Sequence, residues 1–281
     1  MTTWPGSAVG SGGRSQADPA SGGRDPVVDL LRVAAVGVVV LWHWVFSLTY
    51  RQGGVLVNPN PIDQLPGSWL LTWVLQVMPL FFVIGGYANL AVWDAMRQRA
   101  GRFYVRRFKR LLGPALVFCG VWVAADLVIR LAGYPSTVWT TPILYAPLWF
   151  LAVYLGVVLL VPLTARAHRR HRLGTVAGLG ALVVAADAAR FGYGMAWGGM
   201  AWGGIVNTGL VWIFAHQLGY LWRDGVLRPV WRRCAVAAGG LAAIALAVSL
   251  GPYPRSLVAV ASEELSPMLP TTAVIGALAI W

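Results

Sequence analysis

One apolar run near the N-terminus carries three ionisable residues, Asp29, Arg32 and His43. An ionisable group in a hydrophobic stretch costs several kcal/mol to place in lipid, so each calls for a partner or a task. Arg32 and His43 stand eleven residues apart. At 100° per residue that is about 20° past three full turns, so a helix presents both on one face, about 16 Å apart along its axis. Asp29 precedes Arg32 by three residues and falls on the same stripe, where its carboxylate can hold the guanidinium. One helix thus carries a polar seam through an otherwise apolar wall. The same residues also have a structural reading. Arg32 fits a cation snorkelling to the cytoplasmic surface, and His43, between Trp42 and Trp44, fits an interfacial aromatic belt. Spacing alone leaves both readings open.

A second constellation is Arg106-Arg107-Phe108-Lys109-Arg110-Leu111-Leu112-Gly113-Pro114. Its R-x-x-R pair, Arg107 and Arg110, suits phosphate, because the guanidinium fork donates paired hydrogen bonds. Topological signalling by cytoplasmic arginines accounts for the same residues. Asp126, Asp187, Asn207, His216 and Gln217 also fall inside apolar runs. His216 reads as an interhelical hydrogen-bonding residue or as a site member, and Asp187 is spaced to pair with Arg190. His168 and His171 sit among arginines whose field repels cations, Glu263 and Glu264 read as a solvated outer pair, and Cys119 and Cys234 have no metal or disulfide spacing. No metal site is expected.

The elements that hold these residues are apolar runs of membrane-spanning length, which is roughly 20 residues. Eight occur, at 27–50, 68–93, 111–131, 147–165, 174–189, 203–222, 234–250 and 267–281. Residues 94–110, 166–173 and 223–233 are Arg-rich, whereas the alternate loops carry few cations and the turn sequences Asn58-Pro59-Asn60-Pro61, Tyr134-Pro135 and Gly251-Pro252-Tyr253-Pro254. That alternation puts the N-terminus and the basic loops in the cytoplasm. Residues 1–24, rich in Gly, Ser and Pro, read as a disordered cytoplasmic tail, and 25–281 as one transmembrane domain. The Gly-rich stretch 192–204 reads as an outer loop. The last run stops at Trp281 without a cap, which reads as a C-terminally truncated bundle. The expected fold class is an all-α, polytopic transmembrane bundle of at least eight spans.

Composition agrees. Of 281 residues, 58% are hydrophobic and only 11% charged, against about 25% in soluble domains, so the chain could not cover a water-facing surface. The net charge of +12 is nearly all arginine and lies between the apolar runs, which argues for topology and against nucleic acid as a partner.

On these motifs the chain resembles the acyltransferase-3 family of membrane-bound O-acyltransferases. They are Asp29-Leu30-Leu31-Arg32 leading to His43; Met78-Pro79-Leu80-Phe81-Phe82-Val83-Ile84-Gly85-Gly86-Tyr87; Arg107-x-x-Arg110 with Pro114; and Leu148-Trp149-Phe150-Leu151. All four occur in order within 29–151, and later runs match in hydropathy and in Leu269-Pro270-Thr271-Thr272. The resemblance implies transfer of an acyl group, such as acetyl, from cytosolic acyl-CoA to a hydroxyl of a sugar, lipid or small metabolite, as in O-acetylation of the bacterial cell envelope. It implies His43 as base or acyl carrier, Arg32 as the group that orients the thioester or its oxyanion, Arg107 and Arg110 as CoA ligands, and Asp29, Trp149 and His216 as supporting residues. No permanently bound cofactor is implied. Two departures stand out: Gly85 replaces a serine common in relatives, and a serine- and glutamate-rich motif of one branch is missing. The alternatives from other classes are a transporter or exporter whose path is lined by the Asp29–Arg32–His43 seam, and a non-catalytic membrane subunit.

Overall fold

A computed structural model describes residues 26–45, 50–52, 55–57, 66–74, 77–96, 99–134, 148–193, 201–250 and 255. Among them the chain forms α1 (Pro26–Val45), a hairpin of β1 (Tyr50–Gln52) and β2 (Val55–Val57), α2 (Trp69–Val74), α3 (Val77–Ala95), α4 (Ala100–Leu131), α5 (Leu148–Arg170), α6 (Arg172–Tyr193), α7 (Ala201–Arg223) and α8 (Val230–Leu250). The expected helical bundle is present. The hairpin, with Tyr50 opposite Val57 and Gln52 opposite Val55, is its one small exception among the described residues.

Among the described residues, five stretches are long and apolar enough to cross a bilayer: Trp69–Ala95, Ala100–Leu131, Phe150–Arg170, Arg172–Ala189 and Val230–Leu250. The eighth expected run, 267–281, the tail 1–24, Glu263 and Glu264 lie outside the described residues, as does most of 192–204.

α3 is the hub. It is apolar on every side and buries Leu80, Phe82, Val83, Ile84, Leu90 and Trp93, as a helix enclosed by others must. α1 lays Val28 and Ala35 against Leu80 and Ile84. α7 crosses on the opposite side, where Phe82 stacks on Trp212 with centroids 4.5 Å apart. Two glycines permit that crossing. A Cβ on Gly86 would fall 1.9 Å from the His216 carbonyl oxygen, and one on Gly219 would fall 2.0 Å from the Val83 carbonyl oxygen. Small residues at such a contact let helix backbones approach closely, which is a main source of packing energy in lipid. α5 closes the core with Val157, Val158, Val161 and Ala165. The outer part of α4, with Leu116, Val117, Val121, Leu127 and Val128 exposed, presents apolar surface suited to lipid.

Two basic segments differ from their expected form. Residues 94–110 read as a loop, yet α4 begins at Ala100, so Arg102, Arg106, Arg107, Lys109 and Arg110 are helical. The reason is an i, i+4 pair: Phe103 and Arg107 are both buried on one face and dock the first turns of α4 against α3. Pro114 falls where charged and apolar halves meet and deprives the Arg110 carbonyl of its usual helical donor. Likewise α5 runs to Arg170 and α6 starts at Arg172, leaving only His171 between them.

Candidate functional site

Four helices bring polar side chains to one level of the bundle. Arg32 lies six residues from the start of α1, Asn89 six before the end of α3, Arg107 seven from the start of α4 and His216 seven before the end of α7. At the helical rise each stands about 10 Å in from its helix end. Those ends share one side of the molecule, because Asn89 meets His216, Arg107 reaches the Ala88 carbonyl, and the charge of Arg32 bears on Arg107.

The innermost members form a chain. Asn89 and His216 are both fully buried, and the Asn89 amide nitrogen lies 2.9 Å from His216 Nε2. The same nitrogen donates to the Tyr154 hydroxyl of α5 at 3.3 Å. With both amide hydrogens engaged, Nε2 accepts and the His216 proton resides on Nδ1. His216 Nδ1 and Asn89 Oδ1 have no hydrogen-bond partner among the described residues. The Tyr154 ring packs between Phe82 and Phe150 of the aromatic cluster. Its hydroxyl occupies the space that a side chain at position 85 would take, since a Cβ on Gly85 would lie 2.6 Å from the phenol oxygen.

Arg107 borders this chain. Its Nη2 donates to the Ala88 carbonyl, its guanidinium lies 6.0 Å from the centre of the Phe103 ring, and its Nε has no hydrogen-bond partner among the described residues. The positive charges of Arg110, Arg32 and Arg106 bear on it. No carboxylate among the described residues offsets them all. Asp29 pairs with Arg32 at 3.2 Å, Asp126 with Arg130 at 2.8 Å, and Asp187 accepts from Asn207. Asp94 meets Arg169 and Arg223, and Asp224 meets Arg172 at 2.9 Å and His168 at 3.0 Å. A buried guanidinium is thus held by one backbone carbonyl amid like charge. Arrangements of this kind are costly unless an anion completes them.

The family model described as "Acyltransferase domain" matches residues 25–281. The chain belongs to the acyltransferase-3 family. Neither the curated proteins nor the solved structures yielded a match. This acyltransferase is therefore a membrane enzyme that transfers groups other than aminoacyl groups, and its chemistry has to be located from its own residues.

The acyltransferase gathers some of the expected site residues and leaves others apart. Arg107 is buried at the polar level, whereas Arg110, one turn further along α4, is exposed and acts on Arg107 through charge. Asp29 and Arg32 form the expected pair, both half-buried. His216 makes the interhelical bond that its place in an apolar run suggested. The backbones of His43 and Trp149 belong to α1 and α5, but their side chains lie outside the described residues. Arg190 is in the same position, so its pairing with Asp187 is likewise outside them. His168 did not read as a structural residue, yet it is buried between Asp224 and Gln217, whose amide lies 2.8 Å from Nδ1. Asn89 and Tyr154 were not singled out at all. Asn89 carried a usable signal, being an amide inside the apolar run 68–93.

Proposed function

We propose that this membrane enzyme moves an acyl group from cytosolic acyl-CoA to the hydroxyl of a sugar, lipid or small metabolite. The observation that supports the donor is the buried Arg107, which lacks a carboxylate partner among the described residues and lies amid the charges of Arg110, Arg106 and Arg32. A phosphate-bearing donor supplies the missing anion and the acceptor oxygens that guanidinium donors fit. In this reading the chain crosses the bilayer at least eight times, the N-terminus is cytoplasmic, and the arginine level opens to the cytosol.

α1 connects this level to the chemistry. Val28 and Ala35 pack on α3, Arg32 lies at the edge of that face four residues after Val28, and helical register puts position 43 about 20° from Arg32 on the same stripe. His43 then stands about 16 Å deeper than Arg32, so a donor anchored by its phosphates extends its thioester toward the imidazole. His43 takes the proton of the acceptor hydroxyl. The hydroxyl oxygen forms a bond to the thioester carbon, the carbon–sulfur bond breaks, and the thiolate leaves and is protonated as free CoA. Asp29 holds Arg32 on the path between the two ends.

The test uses membranes containing the full chain, incubated with acetyl-CoA and candidate hydroxyl acceptors. Acceptor-dependent release of free thiol is expected, and it should vanish in His43→Ala. A protein that moves solute without consuming thioester would instead be a carrier. Undiminished thiol release by a folded His43→Ala variant would remove the imidazole from the mechanism.

A further inference from the structure

We propose that the Tyr154 hydroxyl is a second, neutral half of the anion site, donating a hydrogen bond to a phosphate oxygen of the acyl donor beside Arg107. Asn89 and His216 act as the residues that position it. The proposal rests on the acyl-CoA reading above and names a recognition residue within it.

Four observations carry it. First, the Tyr154 oxygen accepts from the Asn89 amide, so its own hydrogen remains available, and no acceptor for it is found among the described residues. Second, Asn89 and His216 are fully buried while Tyr154 retains some exposure, so it is the least enclosed member of the chain. Third, the positive charges of Arg107, Arg32 and Arg110 bear on this hydroxyl. An acceptor drawn into that field is an anion. Fourth, the position beside the hydroxyl is Gly85, and any Cβ there would press on the phenol oxygen. The glycine lets Tyr154 fill a place that a larger residue at 85 would contest.

The Asn89 bond fixes which way the phenol can turn. The amide is itself pinned by His216 Nε2 at 2.9 Å, so its rotation is locked by a bond on the opposite helix. Loss of either partner should loosen the hydroxyl without removing it.

The experiment compares two donors in one preparation, acetyl-CoA and S-acetylpantetheine, which shares the thioester and lacks the phosphates. The ratio of their kcat/KM values is independent of the fraction of active protein, so partial misfolding cannot mimic the effect. Wild type should favour acetyl-CoA. Tyr154→Phe should reduce that preference about tenfold, the size expected of one hydrogen bond to a charged group, through KM for acetyl-CoA with S-acetylpantetheine unaffected. Asn89→Ala should reduce the preference in the same direction, and the double variant should lose no more than Tyr154→Phe alone. Equal losses on both donors, or an unchanged preference, would overturn the role of Tyr154 and leave the donor reading intact. A wild type that turns over acetyl-CoA with no preference over S-acetylpantetheine, or releases no thiol, would overturn the donor reading and this role together.

Discussion

Asn89 on α3 and His216 on α7 meet at 2.9 Å inside the bundle, three residues from the point where Gly86 and Gly219 bring the two backbones together. The polar contact and the glycine contact fall at one crossing. The close approach sets the distance, and the hydrogen bond sets the rotation of the helices about it. His216→Leu should therefore leave the Asn89 amide hydrogen unmet in an apolar setting, costing about 1–3 kcal/mol. The measurement is thermal unfolding in detergent, where a lowered Tm is expected and an unchanged one would show the bond to be dispensable.

Gly86→Ala tests the crossing itself. Its new Cβ would sit 1.9 Å from the His216 carbonyl oxygen, which is backbone and cannot rotate away. The helices must separate, at a cost of about 1–3 kcal/mol or more from lost packing. Gly86→Ala should lower Tm or abolish monodisperse folded protein, whereas Gly37→Ala, where nothing lies within 4 Å of the new Cβ, should not.

At the helix ends, His168 is enclosed by Asp224, Gln217 and the Tyr220 ring, whose centroid is 5.3 Å away. His168→Ala strips partners from both Asp224 and Gln217 and should cost about 1–3 kcal/mol. Asp94→Asn should cost less, about 1 kcal/mol at most, since Asp94 and its partners Arg169 and Arg223 are each roughly a third exposed and screened by water and salt. Denaturation at low and high ionic strength separates the two, with only the Asp94 effect shrinking as salt rises.

These residues also show what a linear reading can reach. The apolar runs marked α3 to α8 closely, because lipid and buried core both demand hydrophobic length. The start of α4 was missed for a physical reason. Its arginines looked like a charged loop, and the burial of Phe103 and Arg107 against α3 depends on a neighbour that spacing along one segment does not reveal. Arg107 was legible by residue type, since R-x-x-R is a local pattern. Asn89 was legible only as an amide in an apolar run and Tyr154 not at all, because what they do comes from a contact spanning 65 positions. His168 was read with its arginine neighbours, but its place is decided by Asp224, 56 positions away. The register of Arg32 with Asp29 needed only one helix, and that pair is present.

Arg107→Lys separates charge from geometry. Lysine keeps the positive charge but loses the planar fork and the reach to the Ala88 carbonyl. A rise of roughly tenfold in KM for acetyl-CoA is expected, at the scale of one lost charge-assisted hydrogen bond. Arg110→Lys, at an exposed position, should shift KM about threefold or less.

An anion meeting Arg107, which has no carboxylate partner among the described residues, is the central contact, and direct binding of CoA reads it most plainly. The full chain in nanodiscs, titrated with CoA at low salt, should bind it. Arg107→Ala should weaken the Kd at least tenfold, and pantetheine without phosphates should not compete. Equal Kd values for wild type and Arg107→Ala, or full competition by pantetheine, would contradict the assignment of this level of the bundle to the phosphates of a cytosolic donor.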